Sequence, residues 1–291
     1  MRDDDVNIPD RRSVTQAAPR LRWLKETVIG SLFYALYSAI RNRFGSFHLA
    51  ASGVPLAPFR HALQVVRFER VLGLYRERDV QQLFLGHHRF LQFWNVFYGT
   101  VHFVVTIVTF VCLFRFSRVR FVRWRNTLAC TTALALVGFM LYPLMPPRLL
   151  SSTGPYGGAS LAATANAPAG IDFVDTLEVD GGLWSFDSGS MTRISNQYAA
   201  MPSLHMAWST WCVLALWPLA GRRRRWIRWL SAFYPIATLF GIIVTANHFW
   251  LDAAGGLAAL GCGWWLGNRL EDFNQRHLVA SRRFRPSQGE S

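Results

Sequence analysis

Long uncharged apolar blocks alternate with short arginine-rich segments along this chain. Residues 90–114, 126–147, 194–221 and 229–251 contain no Asp, Glu, Lys or Arg. Each is long enough to cross a hydrocarbon core of ~30 Å, which takes about 20 helical residues. Two shorter apolar runs, 27–40 and 253–268, complete a crossing when flanking residues snorkel to the interface. Backbone in lipid must satisfy its own hydrogen bonds, and the runs are too long and too uniformly apolar for barrel strands. The pattern therefore predicts an all-α polytopic membrane protein, a bundle of six transmembrane helices. Residues 1–22 are polar and predicted to be disordered, without the shape of a cleavable signal. The first apolar run begins only after Lys25 and is read as a retained anchor.

Charge changes the picture by fixing sides. Of the 291 residues 51% are apolar and 16% charged, yet the net charge is +14. The basic residues fall mostly in four groups: Arg11 to Lys25, then Arg115 to Arg125, then Arg222 to Arg228, then the tail from Arg269 to Arg285. Six crossings put all four on one side, as the positive-inside rule requires of the cytoplasm, so the arginines read as topogenic and not as a nucleic-acid surface. Both termini are then cytoplasmic, in what reads as a bacterial plasma membrane. The 146–201 loop, carrying Asp172, Asp175, Glu178, Asp180 and Asp187, becomes extracytoplasmic. Residues 41–89 should share that side although they carry eight arginines. Phe59, Leu63, Val66, Leu72 and Leu74, interleaved with those arginines, predict amphipathic helices along the headgroups between the first and second spans.

The domain organisation is correspondingly simple: a 1–22 tail, one 23–270 membrane domain and a basic tail over 271–291, with no internal repeat. Trp94, Trp124, Trp226, Trp229 and Trp250 fall near predicted span ends as interfacial anchors. Cys112, Cys130, Cys212 and Cys262 all lie inside predicted spans without metal-ligand spacing, so they read as packing residues, and no metal site is predicted.

Three segments bring polar chemistry to the ends of three spans: Tyr142 to Arg148, Met201-Pro-Ser-Leu-His205, and Asn247-His-Phe-Trp-Leu-Asp252. His248 and Asp252 are spaced i, i+4 and share a helix face, so the carboxylate can hold one ring nitrogen and leave the other free to attack or to take a proton. Pro202 suits a first helical turn, where Ser203 and the free amides can meet an anion. His205, one turn in, is placed to protonate a leaving oxygen. Arg148, after Pro146 and Pro147, can grip phosphate bidentately, and Arg193 is a second cation candidate. Asn95, Tyr98 and His102 line one face of an apolar span and predict a polar network that shapes the site. His48, His61, His87, His88 and His277 belong to no constellation and read as solvated surface.

In these three segments the chain resembles the type 2 phosphatidic acid phosphatase superfamily, whose motifs end in Pro-Ser-x-His and His-x-x-x-Asp. It looks closest to the inositolphosphotransferase branch, which includes the inositol phosphorylceramide synthases: the double proline before Arg148, Leu204 within Ala200-Met-Pro-Ser-Leu-His205, and Gly255-Gly256 after Asp252 carry that likeness. The resemblance runs from about Asn95 to Gly256. It implies that His248 attacks phosphorus to give a phosphohistidine, that Asp252 orients it, and that His205 acts as acid and then base, with no metal or other cofactor. The chain departs from ordinary phosphatases where Ile242 replaces an arginine six residues before the nucleophile and where no lysine precedes Arg148.

These readings predict a lipid phosphotransferase or phosphatase. A lipid phosphodiester, phosphate or pyrophosphate would be the donor, and the acceptor would be water or a lipid alcohol receiving a phospho-headgroup such as inositol phosphate. The rival from another class is a non-catalytic lipid-binding or lipid-translocating bundle.

Overall fold

The computed structural model describes residues 23, 24, 26–32, 35, 38, 39, 55–164, 167–181, 196–219 and 225–283. It divides into two units, Met1–Ala39 and Ile40–Ser291. In the first, every described residue is helical, with Trp23, Leu24, Val28, Ile29 and Leu32 exposed. Arg41, Arg43 and His48 lie outside the described residues.

The second unit is helical throughout its described residues, relieved by one isolated parallel bridge between Leu144 and Ala199. Its elements are α1 (Leu56–Val71), α2 (Glu77–Phe84), α3 (His88–Phe116), α4 (Arg118–Leu141), the short α5 (Ala159–Thr164) and α6 (Thr176–Val179), α7 (Leu204–Leu216), α8 (Arg225–Val244) and α9 (Trp250–Arg283). Two of these, α3 and Trp226–Val244 within α8, are long and apolar enough to cross a membrane. The other four predicted crossings are not shown as such, because among the described residues no further helix is that long and apolar. Within the uncharged 194–221 run, α7 has 13 residues, about 20 Å at 1.5 Å per residue, and residues 196–203 before it are not helical. The 229–251 run breaks at residues 245–249, where Ala246 takes a φ of 51° and the Asn247 and His248 amides both donate to the Ile242 carbonyl. The predicted arginine loop between the second and third spans shrinks to Ser117, since Arg118 to Arg125 already belong to α4.

α1 is amphipathic, as its pattern predicts, but its apolar face is buried against protein. Phe59, Ala62, Leu63 and Val66 point into a core formed with Leu144, Met145, Leu149, Leu150, Ile171 and Phe173, while Arg60, Arg67 and Arg70 stay exposed. Leu72 and Leu74, counted with that face in the sequence, are half-exposed. Two of the arginines of this region, and one histidine, meet the acidic loop. Arg78 makes a bidentate pair with Asp172 at 2.7 Å for both bonds, the His88 ring meets Asp180 at 2.5 Å, and Arg70 donates to the Ala169 carbonyl. The arginine-rich helices and the acidic loop thus cover one end of the bundle together. Burial of the fork is slight, yet the neighbouring guanidinium holds the Asp172 carboxyl below its ordinary range.

Below that cap, α3, α4, α7 and α9 enclose a second core built on Leu113, Phe121, Leu128, Trp211, Cys212 and Leu260. α9 runs along α4 with backbones nearly touching: a Cβ at Gly263 would stand 2.7 Å from the Thr131 amide nitrogen. Small residues permit such close helix packing in apolar surroundings. The four cysteine thiols are free.

Candidate active site

Local sequence explains each arm of the site. Ser203 is the N-cap of α7: it is fully buried, and its hydroxyl accepts from the Met206 amide at 3.4 Å. That is the ordinary use of serine at a helix start, so its side chain serves α7. The Ser203 amide donates to the Asp252 carbonyl at 2.9 Å, tying the start of α7 to the start of α9. This approach needs a glycine one turn along α9, because a Cβ on Gly256 would stand 2.3 Å from the Ser203 carbonyl oxygen.

His248 lies in the turn just before α9, and its Nδ1 is 3.2 Å from Oδ2 of Asp252. The same oxygen accepts the Phe249 amide at 2.9 Å, so the carboxylate is held in place from the backbone. Donation from Nδ1 fixes the tautomer with a lone pair on Nε2, which is buried and has no hydrogen-bond partner. The His205 ring faces it, with centroids 5.6 Å apart at 61°. Tyr98 stacks on His205 at 4.2 Å and 21°, and the His102 ring lies 4.2 Å from His205 on another side. Tyr98 belongs to a π-helical turn, Phe97–Val101, that interrupts α3, with His102 next in the chain. Such single-turn bulges frequently sit at functional sites.

Asn95, from the same stripe, goes elsewhere. Its amide donates to the Thr176 and Gly181 carbonyls at 2.8 and 2.9 Å, and its oxygen accepts from the Thr176 hydroxyl at 3.0 Å. It anchors α6 and the loop over the bundle end. Arg148 is buried and fully engaged: Nε donates to Asn247 at 2.9 Å, and the two terminal nitrogens donate to Asp175 and Gln197. Its own amide donates to the Ala246 carbonyl at 2.8 Å. Arg193 lies outside the described residues. Ile242, where ordinary phosphatases carry arginine, is buried in an apolar cluster with Met206, Ile243 and Ala253.

Beside His248 lies a cavity of about 60 Å³ lined by Tyr98, Pro146, Arg148, Gln197, Asn247 and His248. A second cavity of about 60 Å³ shares Arg148 and Gln197 and is also lined by Asp175 and Glu178. Among the described residues, no cluster of three or more His, Cys, Asp or Glu side chains could hold a metal ion. Three polar partners of Arg148 carried no local motif: Asp175 and Gln197 looked like ordinary polar positions of the loop, and Asn247 was legible only as a member of its segment. The one signal for Asp175 was an acidic loop beside a buried arginine.

The arrangement brings two imidazoles from different segments together, one of them with a ring nitrogen held by a carboxylate and the other ring nitrogen without a partner. Comparison with known proteins points the same way: the family model described as PAP2 superfamily matches residues 63–266. No curated protein and no solved structure matches the chain.

Proposed function

Starting from the fact that this chain belongs to the PAP2 superfamily, whose membership together with two apolar helices indicates a membrane protein with phosphatase-type chemistry, we propose that it is a lipid phosphotransferase or phosphatase working through a phosphohistidine at His248. The observation that carries this reading is the His248 ring: one nitrogen is held by Asp252, and the other is free and faces His205.

In the first half-reaction the Nε2 lone pair of His248 forms a P–N bond while the bond from phosphorus to the leaving oxygen breaks. His205 gives that oxygen a proton. In the second, His205 takes the proton of an attacking hydroxyl, a new P–O bond forms, and the P–N bond breaks to restore His248. Asp252 holds the ring through both halves and balances its developing charge. The residues supply all of this without a metal. Arg148 lines the cavity with its charge already opposed by Asp175, so we assign it a shaping role.

The acceptor is best read as an alcohol. His248 is 3% exposed, Tyr98 and His102 pack against the His205 ring, and excluding water protects such an intermediate. This favours transfer of a phospho-headgroup, such as inositol phosphate, to a lipid alcohol. Hydrolysis of a phosphatidate or polyprenyl phosphate is the second reading. Six crossings with cytoplasmic termini, in a bacterial plasma membrane, would put the site at the outer face.

The test is chemical trapping. Purified protein given a lipid donor labelled at phosphorus should retain acid-labile label, and His248→Ala should retain none. A His248→Ala variant with full turnover on every lipid phosphate tried would remove the assignment. Lipid binding without label on the wild type, across productive donors, would favour a non-catalytic bundle.

A further inference from the structure

Two buried carboxyl groups outside the motifs touch the helix that carries the site. Glu69, near the end of α1, and Glu77, at the start of α2, are both fully buried. Oε1 of Glu77 accepts the Trp250 amide at 3.0 Å, and Oε1 of Glu69 accepts the Leu251 amide at 2.7 Å. With Asp252 taking the Phe249 amide, three successive amides that a helix start leaves without intrahelical partners are each satisfied by a carboxyl. The second oxygen of each carboxyl is buried without a hydrogen-bond partner, and the two groups are close enough for Glu77 to raise the Glu69 carboxyl. Two carboxylates in that relation repel; with one proton between them they bond.

We infer that Glu69 and Glu77 form a proton-sharing acid pair that caps the first turn of α9 and positions the His248–Asp252 dyad from a separate pair of helices. The inference rests on His248 being the nucleophile of the proposed reaction. The other titratable groups facing the pair are Asp252 from α9 and Tyr75 from the connection between α1 and α2, with Arg70 of α1 near Tyr75. Among the described residues no basic side chain is paired with either carboxyl. Burial first, and then the hydrogen bond to Glu77 and its charge, push the Glu69 carboxyl from 4.5 up to about 10. The folded chain therefore keeps a proton that the unfolded chain releases. The stability this contributes is fully present below 4.5 and is lost as pH rises toward about 10.

The pair also gives the covering helices a purpose. α1 and α2 hold the acidic loop with their arginines and, through two glutamates, hold the helix start that presents His248. A displacement of about 1 Å at a reacting group can cost about 10²-fold in rate, so positioning residues here should act on kcat and leave KM nearly unchanged.

The test uses the full chain in detergent, with Glu69→Ala, Glu77→Ala and Glu69→Gln. The alanine variants should lose kcat by about 10²-fold with KM within about twofold. Glu69→Gln, whose amide donates permanently to Glu77, should stay within about threefold of wild type in kcat, since it keeps the bond without the proton. Thermal unfolding read between pH 5 and 10 gives an independent arm: the wild type should lose more melting temperature with rising pH than Glu69→Gln does. Folded alanine variants with wild-type kcat would overturn the inference, as would wild type and Glu69→Gln melting in parallel across that range. If the wild type itself turns over no lipid phosphate, the proposed function fails while the melting curves still decide the acid pair. If the alanine variants do not fold, the glutamine variant and those curves decide it.

Discussion

The imidazole rings of His205 and His248 come from different helices, α7 and the turn before α9, and meet with centroids 5.6 Å apart at 61°. This geometry separates nucleophile from acid in space, so their variants should differ. His248→Ala should abolish both turnover and label trapping. His205→Ala should lower kcat by roughly 10²- to 10⁴-fold, the usual weight of general acid–base catalysis, and its loss should shrink for substrates with good leaving groups. Turnover of an aryl phosphate beside a lipid phosphate measures this, and equal loss on both would contradict the assigned roles.

Asp252 reaches His248 through one oxygen that also accepts the Phe249 amide. Asn at this position can fill the space, but its amide can donate to Nδ1 and favour the wrong tautomer. Asp252→Asn should therefore fold like wild type and lose kcat by about 10²-fold or more, the logic of a carboxylate that orients histidine. Thermal melting together with steady-state kinetics checks both halves, and an active Asp252→Asn protein would count against the nucleophile assignment.

Arg148 joins the α8–α9 turn, through Asn247 and Ala246, to the loop, through Asp175 and Gln197. Removing it strands a buried carboxylate and two amide acceptors. Arg148→Ala should cost about 3–5 kcal/mol, as broken buried ion pairs do. Arg148→Ala/Asp175→Ala should recover part of that loss, because the stranded charge is gone. Denaturation of the four proteins in one detergent measures the coupling, and additive effects would show that the pair is not a unit.

Gly256 meets the Ser203 carbonyl where α9 passes the start of α7. A methyl there cannot be absorbed by a flexible side chain, since the obstacle is backbone. Gly256→Ala should destabilise by about 1–3 kcal/mol, the range for overpacking, and should also lower kcat because the shift falls one turn from Asp252. Gly261→Ala, on the same helix with open space at its Cβ, is the control and should leave both quantities near wild type.

The amino-acid sequence determined the helical class, the apolar helices α3 and α8, and the three segments that hold His205, His248, Asp252 and Arg148. Charge-free stretches and i, i+4 spacing are local properties, so they are written in the chain. It also placed Tyr98 and His102 on one helix face, though not against the His205 ring. The starts of α7 after Pro202 and of α9 near His248 were also legible, since proline and the polar Asn247-His248 pair interrupt the apolar runs. What only the tertiary structure decided is where each helix stops and what each polar group touches. Arg148 reads in the sequence as a free phosphate ligand, yet in the fold it meets Asp175, 27 residues on. Glu69 and Glu77 look like ordinary charges on an amphipathic stretch. Their partners are backbone amides 182 and 173 residues away, and backbone amides leave no mark in a sequence.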